Sequence, residues 1–278
     1  MSALAPTLEA WFTDRLIRQR QASPHTIAAY RDTMRLLLGF AAEQLEKQPV
    51  QLEVTDLDAP LIGAFLDHLE HERGNGARTR NARLAAIRSL FRFAALRHPE
   101  HAHSIERVLA IPPKRFERNL VTFLTEEEVQ ALLAAPDRGT WTGRRDRAML
   151  MLAAQTGLRA SELTRLKCVD VHLGRGPHVS CLGKGRKQRI TPLTSGTVAV
   201  LRVWLAERGE QAQEPLFPTR VGGALSRDGL EHRIARHVAS AARTCPSLRG
   251  KKVTPHVLRH TAAMRLLQAG VDTSVIAL

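Results

Sequence analysis

Two consecutive prolines, Pro112-Pro113, stand in the stretch VLAIPPKRFERNL (108–120) and divide the chain. A proline pair cannot continue a helix, since each residue lacks the N–H and restricts its predecessor to extended backbone. The basic, polar remainder reads as a linker. The expected organisation is therefore one domain over 1–107, a linker over 108–120 and a second domain over 121–278. A length of 278 residues suits two domains at roughly 100–200 residues each.

Before the prolines the apolar residues keep helical spacing. Leu8, Trp11, Phe12 and Leu16 recur through Thr7 to Arg20, and Ser23-Pro24 opens a second helix as cap and first-turn proline. Ile27, Tyr30, Met34, Leu37 and Leu38 mark its buried stripe. A third helix runs from Ala59 to Glu72, Gly74-Asn75-Gly76 breaks it, and a fourth spans Ala77 to Arg97. No strand signal occurs, so this half is predicted to be a helical bundle.

After the prolines the pattern is mixed. Leu124-Thr125-Glu126-Glu127-Glu128 is a capped helix start with an acidic first turn. Arg144 to Gln155 reads as a buried helix ended by Thr156-Gly157, followed by a short helix over Ala160 to Lys167. Residues 169–173, 178–182 and 188–191 then read as short strands, the last two joined by the glycine hairpin Gly183-Lys184-Gly185-Arg186-Lys187. Helices resume over Thr194 to Arg208, Ser226 to Arg243 and Thr254 to Ala269. The expected fold class is mainly α with a small antiparallel β-sheet: an all-helical N-terminal domain, then an α+β domain.

Charge narrows the function. The chain carries a formal net charge of +14, which points to a polyanionic partner, nucleic acid first. An anionic membrane is the competitor. The longest apolar run, Ala148 to Ala154, falls far short of the roughly 20 residues of a spanning helix. The start MSALAPTLEAW lacks a basic leader region, so no signal peptide is read. Three cysteines, Cys168, Cys181 and Cys245, give no paired framework and fit a reducing compartment. A cytoplasmic location is expected. Residues 1–120 carry 17 basic and 14 acidic groups, residues 121–278 carry 24 and 13, so the second half holds most of the positive field. In the first half the basicity concentrates between Arg73 and Arg97, a stretch with seven arginines and no acidic residue. Arg78, Arg80, Arg83, Arg88 and Arg92 are its candidate DNA contacts, with Arg88 and Arg92 on one face at i,i+4.

Three local features carry chemistry. In Thr254-Pro255-His256-Val257-Leu258-Arg259-His260 a capped helix start is combined with an arginine and two histidines, a ready anion site. His256 and His260 stand at i,i+4, but the glutamate of a HExxH zinc motif is missing and the cysteines show no ligand spacing. His260 reads equally well as a packed core histidine. In Gln155-Thr156-Gly157-Leu158-Arg159, Arg159 falls at a helix start, where free amides can share an anion with it; its alternative is a surface pair with Glu162. Lys184, Arg186 and Lys187 sit on the glycine hairpin, where backbone and lysine can approach a groove closely.

Together the stretches RDRAMLMLAAQTGLRASEL (145–163), LGKGRKQRITPL (182–193) and TPHVLRHTAA (254–263) resemble the tyrosine recombinase, or phage integrase, family in order and spacing. PHTIAAYRDTMRLLLGFA (24–41) resembles that family's core-binding, SAM-like domain. The resemblance implies a clamp on double-stranded DNA and phosphoryl transfer without metal or cofactor. It implies that Arg159 and Arg259 hold the scissile phosphate, that Lys184 protonates the leaving 5′-hydroxyl, and that His256 assists proton transfer. A tyrosine in a following helix would form a 3′-phosphotyrosine link. It also implies self-association on paired DNA sites in complete relatives. Type IB topoisomerases share this chemistry, but the helical N-terminal half and the modest length favour a recombinase.

The pattern departs from the family at its end. The family expects a Gly-His or Gly-Trp turn and the tyrosine after the second arginine helix, whereas the last residues here are Val271-Asp272-Thr273-Ser274-Val275-Ile276-Ala277-Leu278. The one tyrosine, Tyr30, lies on the first half's buried stripe. The expectation is a catalytic domain incomplete at its C-terminus, inactive alone, with an inert module that occupies recombination sites as the alternative.

Overall fold

Leu4–Ala10 (α1) begins the computed structural model, which describes residues 4–117, 122–182, 188–209 and 212–272. Two compact units emerge, Met1–Arg118 and Asn119–Leu278. In the first, α1 runs into a π-helical stretch, Trp11–Gln19, that buries Trp11 and Leu16. Ser23 then accepts the Thr26 amide at 3.2 Å, and Pro24 at the first position starts α2 (Pro24–Leu45). Asp58 caps α3 (Ala59–His71) through the Leu61 amide at 2.9 Å. Helix α4 (Ala77–Ala94) turns Leu84, Ile87, Leu90 and Phe91 inward against Leu37, Ile62, Leu66 and Leu69. Tyr30 is half-buried and stacks on Trp11 with ring centroids 5.6 Å apart.

One further helix was not read from the sequence. Ala102–Ala110 (α5) buries Ile105 and Val108 in the same core. The extended stretch therefore begins at Ile111 rather than Val108. The reason is local: Pro112 forces only its predecessor Ile111 into extended backbone (φ −53°, ψ 117°), and the apolar face of α5 completes its turn before that point. The following segment is fastened rather than free. The Asn81 side chain donates to the Lys114 carbonyl (2.7 Å) and accepts from its amide (2.9 Å), while Lys114 Nζ meets Glu70 at 2.9 Å.

The second unit is built around one long helix, Trp141–Thr156 (α7). Thr125 opens α6 (Glu126–Ala134) with a reciprocal cap: the Glu128 carboxylate accepts the Thr125 amide at 3.0 Å, and the Glu128 amide donates to Thr125 Oγ1 at 3.3 Å. Helix α7 (Trp141–Thr156) follows, ended by Gly157 in the left-handed region at φ +59°. Then come α8 (Ala160–Arg165) and the strands β1 (Val171–His172), β2 (His178–Leu182) and β3 (Gln188–Pro192), an antiparallel sheet in that order with Cys181 opposite Arg189. The first strand is shorter than the sequence suggests, since residues 168–170 form a 3₁₀ turn. Helices α9 (Ser195–Arg208), α10 (Arg227–Ala241) and α11 (Pro255–Gln268) complete the unit. Leu150, Leu152, Val179, Leu201 and Ile234 are fully buried in one core. Trp204 joins them, its indole N–H donating to the Leu216 carbonyl at 2.8 Å. Near the end of α11, Leu266 and Leu267 are 43% and 44% exposed. No helix among the described residues is long and apolar enough to cross a membrane.

Candidate nucleic-acid interface and phosphate site

Helix α11 is set in place by buried polar contacts. Thr254 caps it through the Val257 amide (3.3 Å), and Thr261 accepts the Leu124 amide (3.0 Å). The strand of chain leading into it is held by Glu128, whose carboxylate takes Lys251 at 2.7 and 2.8 Å and Ser247 at 2.7 Å. Burial pushes the Glu128 pKa up, but those hydrogen bonds outweigh it and hold it below the usual carboxylate value.

From the first turns of α11, Arg259 Nη1 donates to the Gly157 carbonyl at 2.6 Å. Gly157 itself lies against the helix: a Cβ there would stand 3.2 Å from Ala262 Cβ and 3.5 Å from the Arg259 carbonyl. A glycine is needed on both counts, for its positive φ and for this close approach. Two residues later Arg159 caps α8. Its amide donates to Glu162 at 2.7 Å and its guanidinium to the other Glu162 oxygen at 2.8 Å. Arg189 on β3 reaches the same carboxylate at 3.4 Å.

Thus Arg159 and Arg259, a hundred positions apart, come together, and the pair with Glu162 weighed against that role is also present. Both hold because Glu162 takes Arg159 from one side while Arg259 is anchored to Gly157, two residues before Arg159. The Glu162 pKa is raised by burial and lowered further by the Arg159 amide and by Arg159 and Arg189, for a net decrease. Arg259 has its pKa lowered, first by burial and then by the charges of Arg159 and Arg189. Two guanidinium groups on one carboxylate, with Arg259 adding its charge from the Gly157 carbonyl, leave a positive surplus suited to an anion. Arg189 was not singled out as a site residue; its position opposite Cys181 in the β2–β3 register brings it here, and register is not visible in a one-residue window.

His256 is exposed and His260 half-buried, their Nε2 atoms 2.7 Å apart. One ring must donate and the other accept, so the pair shares a proton at this contact. Burial lowers the His260 pKa, and His256 and Arg259 lower it further. Lys184, Arg186 and Lys187 lie outside the described residues.

In the first unit the α4 arginines divide. Arg80 meets Glu70 at 3.3 Å, Arg83 meets Asp32 at 3.5 Å, and Arg88 donates to the Ile111 carbonyl. Arg78 lies over the Phe116 ring at 5.3 Å. Arg92 makes no ion pair among the described residues and lines a cleft of about 250 Å³ with Arg15, Arg20, Tyr30 and Ser89. A sequence stretch without acids is therefore not a face without acids: Glu70 and Asp32 come from the neighbouring helices α3 and α2.

A helical SAM-like unit followed by a helix-rich unit with a small antiparallel sheet and clustered arginines is the architecture of a tyrosine recombinase. The phage integrase family model matches residues 122–278, and the phage integrase N-terminal SAM-like domain matches residues 10–98. The chain belongs to the phage integrase family. It is 57% identical over 277 residues to a Sinorhizobium fredii protein, y4rC, whose name carries the description integrase/recombinase; the match covers 100% of this chain and 83% of that protein. It is 35% identical over 272 residues to the tyrosine recombinase XerC of Xanthomonas campestris pv. campestris, covering 98% and 78%. Among solved structures, it shares the fold of the XerH recombinase bound to its difH substrate (TM-score 0.66, 23% identity, 92% and 72% covered). It also shares that of a lambda integrase dimer bound to a COC′ core site (TM-score 0.66, 18% identity, 99% and 93% covered).

Proposed function

We propose that this chain grips duplex DNA and holds one backbone phosphate in the Arg159–Arg259 pocket, as the binding half of site-specific strand exchange. The observation that carries the reading is the cluster itself: Arg159 and Arg189 pair with Glu162, and Arg259 is fastened to the Gly157 carbonyl two residues before Arg159. Arg159 and Arg259 are assigned the phosphate oxygens, where guanidinium forks stabilise the extra charge of a pentacoordinate phosphorus. Lys184 is assigned proton donation to the leaving 5′-oxygen, and His256 proton transfer at the nucleophile. Arg78, Arg92, Arg186 and Lys187 are assigned backbone contacts. Arg80, Arg83 and Arg88 join them through residual donors beyond their internal pairs. In domain terms, 1–107 supplies a helical DNA-binding domain and 121–278 the catalytic one. Cofactors are not called for, since the transfer needs only these donors and a nucleophile. The lambda integrase dimer on its core site, whose fold this chain shares, supports self-association on paired sites.

Cleavage through a 3′-phosphotyrosine requires a nucleophilic tyrosine, and the one tyrosine of these 278 residues, Tyr30, belongs to the first unit, where it stacks on Trp11. These residues by themselves are therefore assigned binding without covalent capture. A nicked duplex that traps covalent intermediates tests this on a denaturing gel. No adduct is expected from the 278 residues; an adduct would overturn the assignment.

A further inference from the structure

A second basic site stands at the other end of α7. Between the start of α7, α10 and the segment around Arg220 lies a cleft of about 700 Å³, lined by Arg220, Arg233, Arg236 and Arg243. Arg233 has one partner, Asp146 at 3.6 Å; the side chains of Arg220, Arg236 and Arg243 make no ion pair or hydrogen bond among the described residues. Two acids share the wall: Asp137, which accepts the Gly139 amide at 2.9 Å, and Asp146. Asp146 is fully buried and accepts from Arg145 at 2.9 and 2.6 Å and from His237 at 2.8 Å. Four guanidinium groups thus face one cleft that holds two carboxylates, one of them already engaged by Arg145 and His237, which leaves a positive surplus.

We propose that this cleft is a second phosphate-binding station for the backbone of duplex DNA, separate from the Arg159–Arg259 pocket; it rests on the reading that this unit grips DNA. Arginines rather than lysines supply the donors, as fork-shaped recognition of phosphate oxygens favours. The apolar lining is confined to alanines and a glycine, without the large aromatic or aliphatic anchors a protein partner needs at an interface centre. Spacing fits as well. Asp146 and Gly157 lie roughly 16 Å apart along α7 at 1.5 Å per residue. That is about five phosphate steps at 3.4 Å of axial rise per strand, so one duplex can reach both sites.

The test is an equilibrium titration of the full chain with a short mixed-sequence duplex over a range of salt. Arg236→Gln with Arg243→Gln should reduce the log–log salt slope by about 1.8, at 0.9 per lost phosphate contact. Ser240→Asp, which sets an anion beside the same arginines, should weaken binding at every salt concentration with an unchanged melting profile. A steep wild-type slope that the double variant leaves unchanged overturns the station, including the case in which an acidic protein segment occupies the cleft. A flat wild-type slope overturns the DNA reading itself, and the station with it.

Discussion

Asp146→Asn isolates the ion pair at the centre of the second unit. Arg145 is 1% exposed and Asp146 fully buried, so neither has water to fall back on. The wild-type carboxylate takes two hydrogen bonds from Arg145 and one from His237, with Arg233 at 3.6 Å. Arg145 keeps only neutral partners once that charge is gone: the amide oxygen of the substitution, the Pro218 carbonyl (2.7 Å) and the Trp141 ring (5.4 Å). Leaving one buried charge uncompensated costs about 3–5 kcal/mol. In a unit of this size each kcal/mol moves the melting temperature by about 2–4 °C, so Tm should fall by roughly 6–20 °C. The assay is thermal unfolding by circular dichroism. Replacing both partners, Arg145→Met with Asp146→Leu, should recover part of the loss, because no unpaired charge between them remains. Acid sensitivity gives a second reading. Burial would raise the Asp146 pKa, but hydrogen bonds from His237 and Arg145 and the charges of Arg145 and Arg233 hold it below the usual carboxylate value. A lowered folded pKa means stability present above the unfolded value of about 3.9 and lost as pH falls through the folded one. Wild type should therefore lose stability faster than Asp146→Asn on acidification below about pH 4. A Tm change under about 2 °C for Asp146→Asn at neutral pH would refute the ion-pair account.

Other perturbations probe the proposed phosphate site. Gly157→Ala must place a Cβ at positive φ and 3.2 Å from Ala262 Cβ, and should cost about 1–3 kcal/mol in denaturant unfolding. Glu162→Gln removes the one anion shared by Arg159 and Arg189; DNA affinity at low salt should rise while Tm falls, since the helix cap also weakens. Both changes are read from one preparation by titration and melting.

Much of this was legible in the sequence, and the exceptions share a cause. The caps at Ser23, Thr125 and Thr254 and the stop at Gly157 are local, set by side chains within a few residues, and each appears where the residues called for it. The convergence of Arg159 with Arg259 came from family-like spacing rather than from any local rule. What escaped is tertiary. Asp32 and Glu70 neutralise α4 arginines from other helices, and Arg189 reaches Glu162 through strand register. The Arg145–Asp146 pair reads as a charged, surface-like dipeptide, yet it is core because Pro218, Trp141 and His237 close over it. Helix α5 was overshadowed by the proline pair just beyond it, although Ile105 and Val108 keep helical spacing.

The claim that Arg159 and Arg259 serve one phosphate has a direct measure in the salt dependence of duplex binding. Arg159→Ala, Arg259→Ala and the double variant are titrated beside wild type. If the two guanidinium groups share a phosphate, the double variant should lower the log–log slope by about 0.9, the value for one contact, and the single variants should not add. A loss of about 1.8, built additively from the two singles, would assign them separate phosphates and contradict the account, as would no change in slope at all.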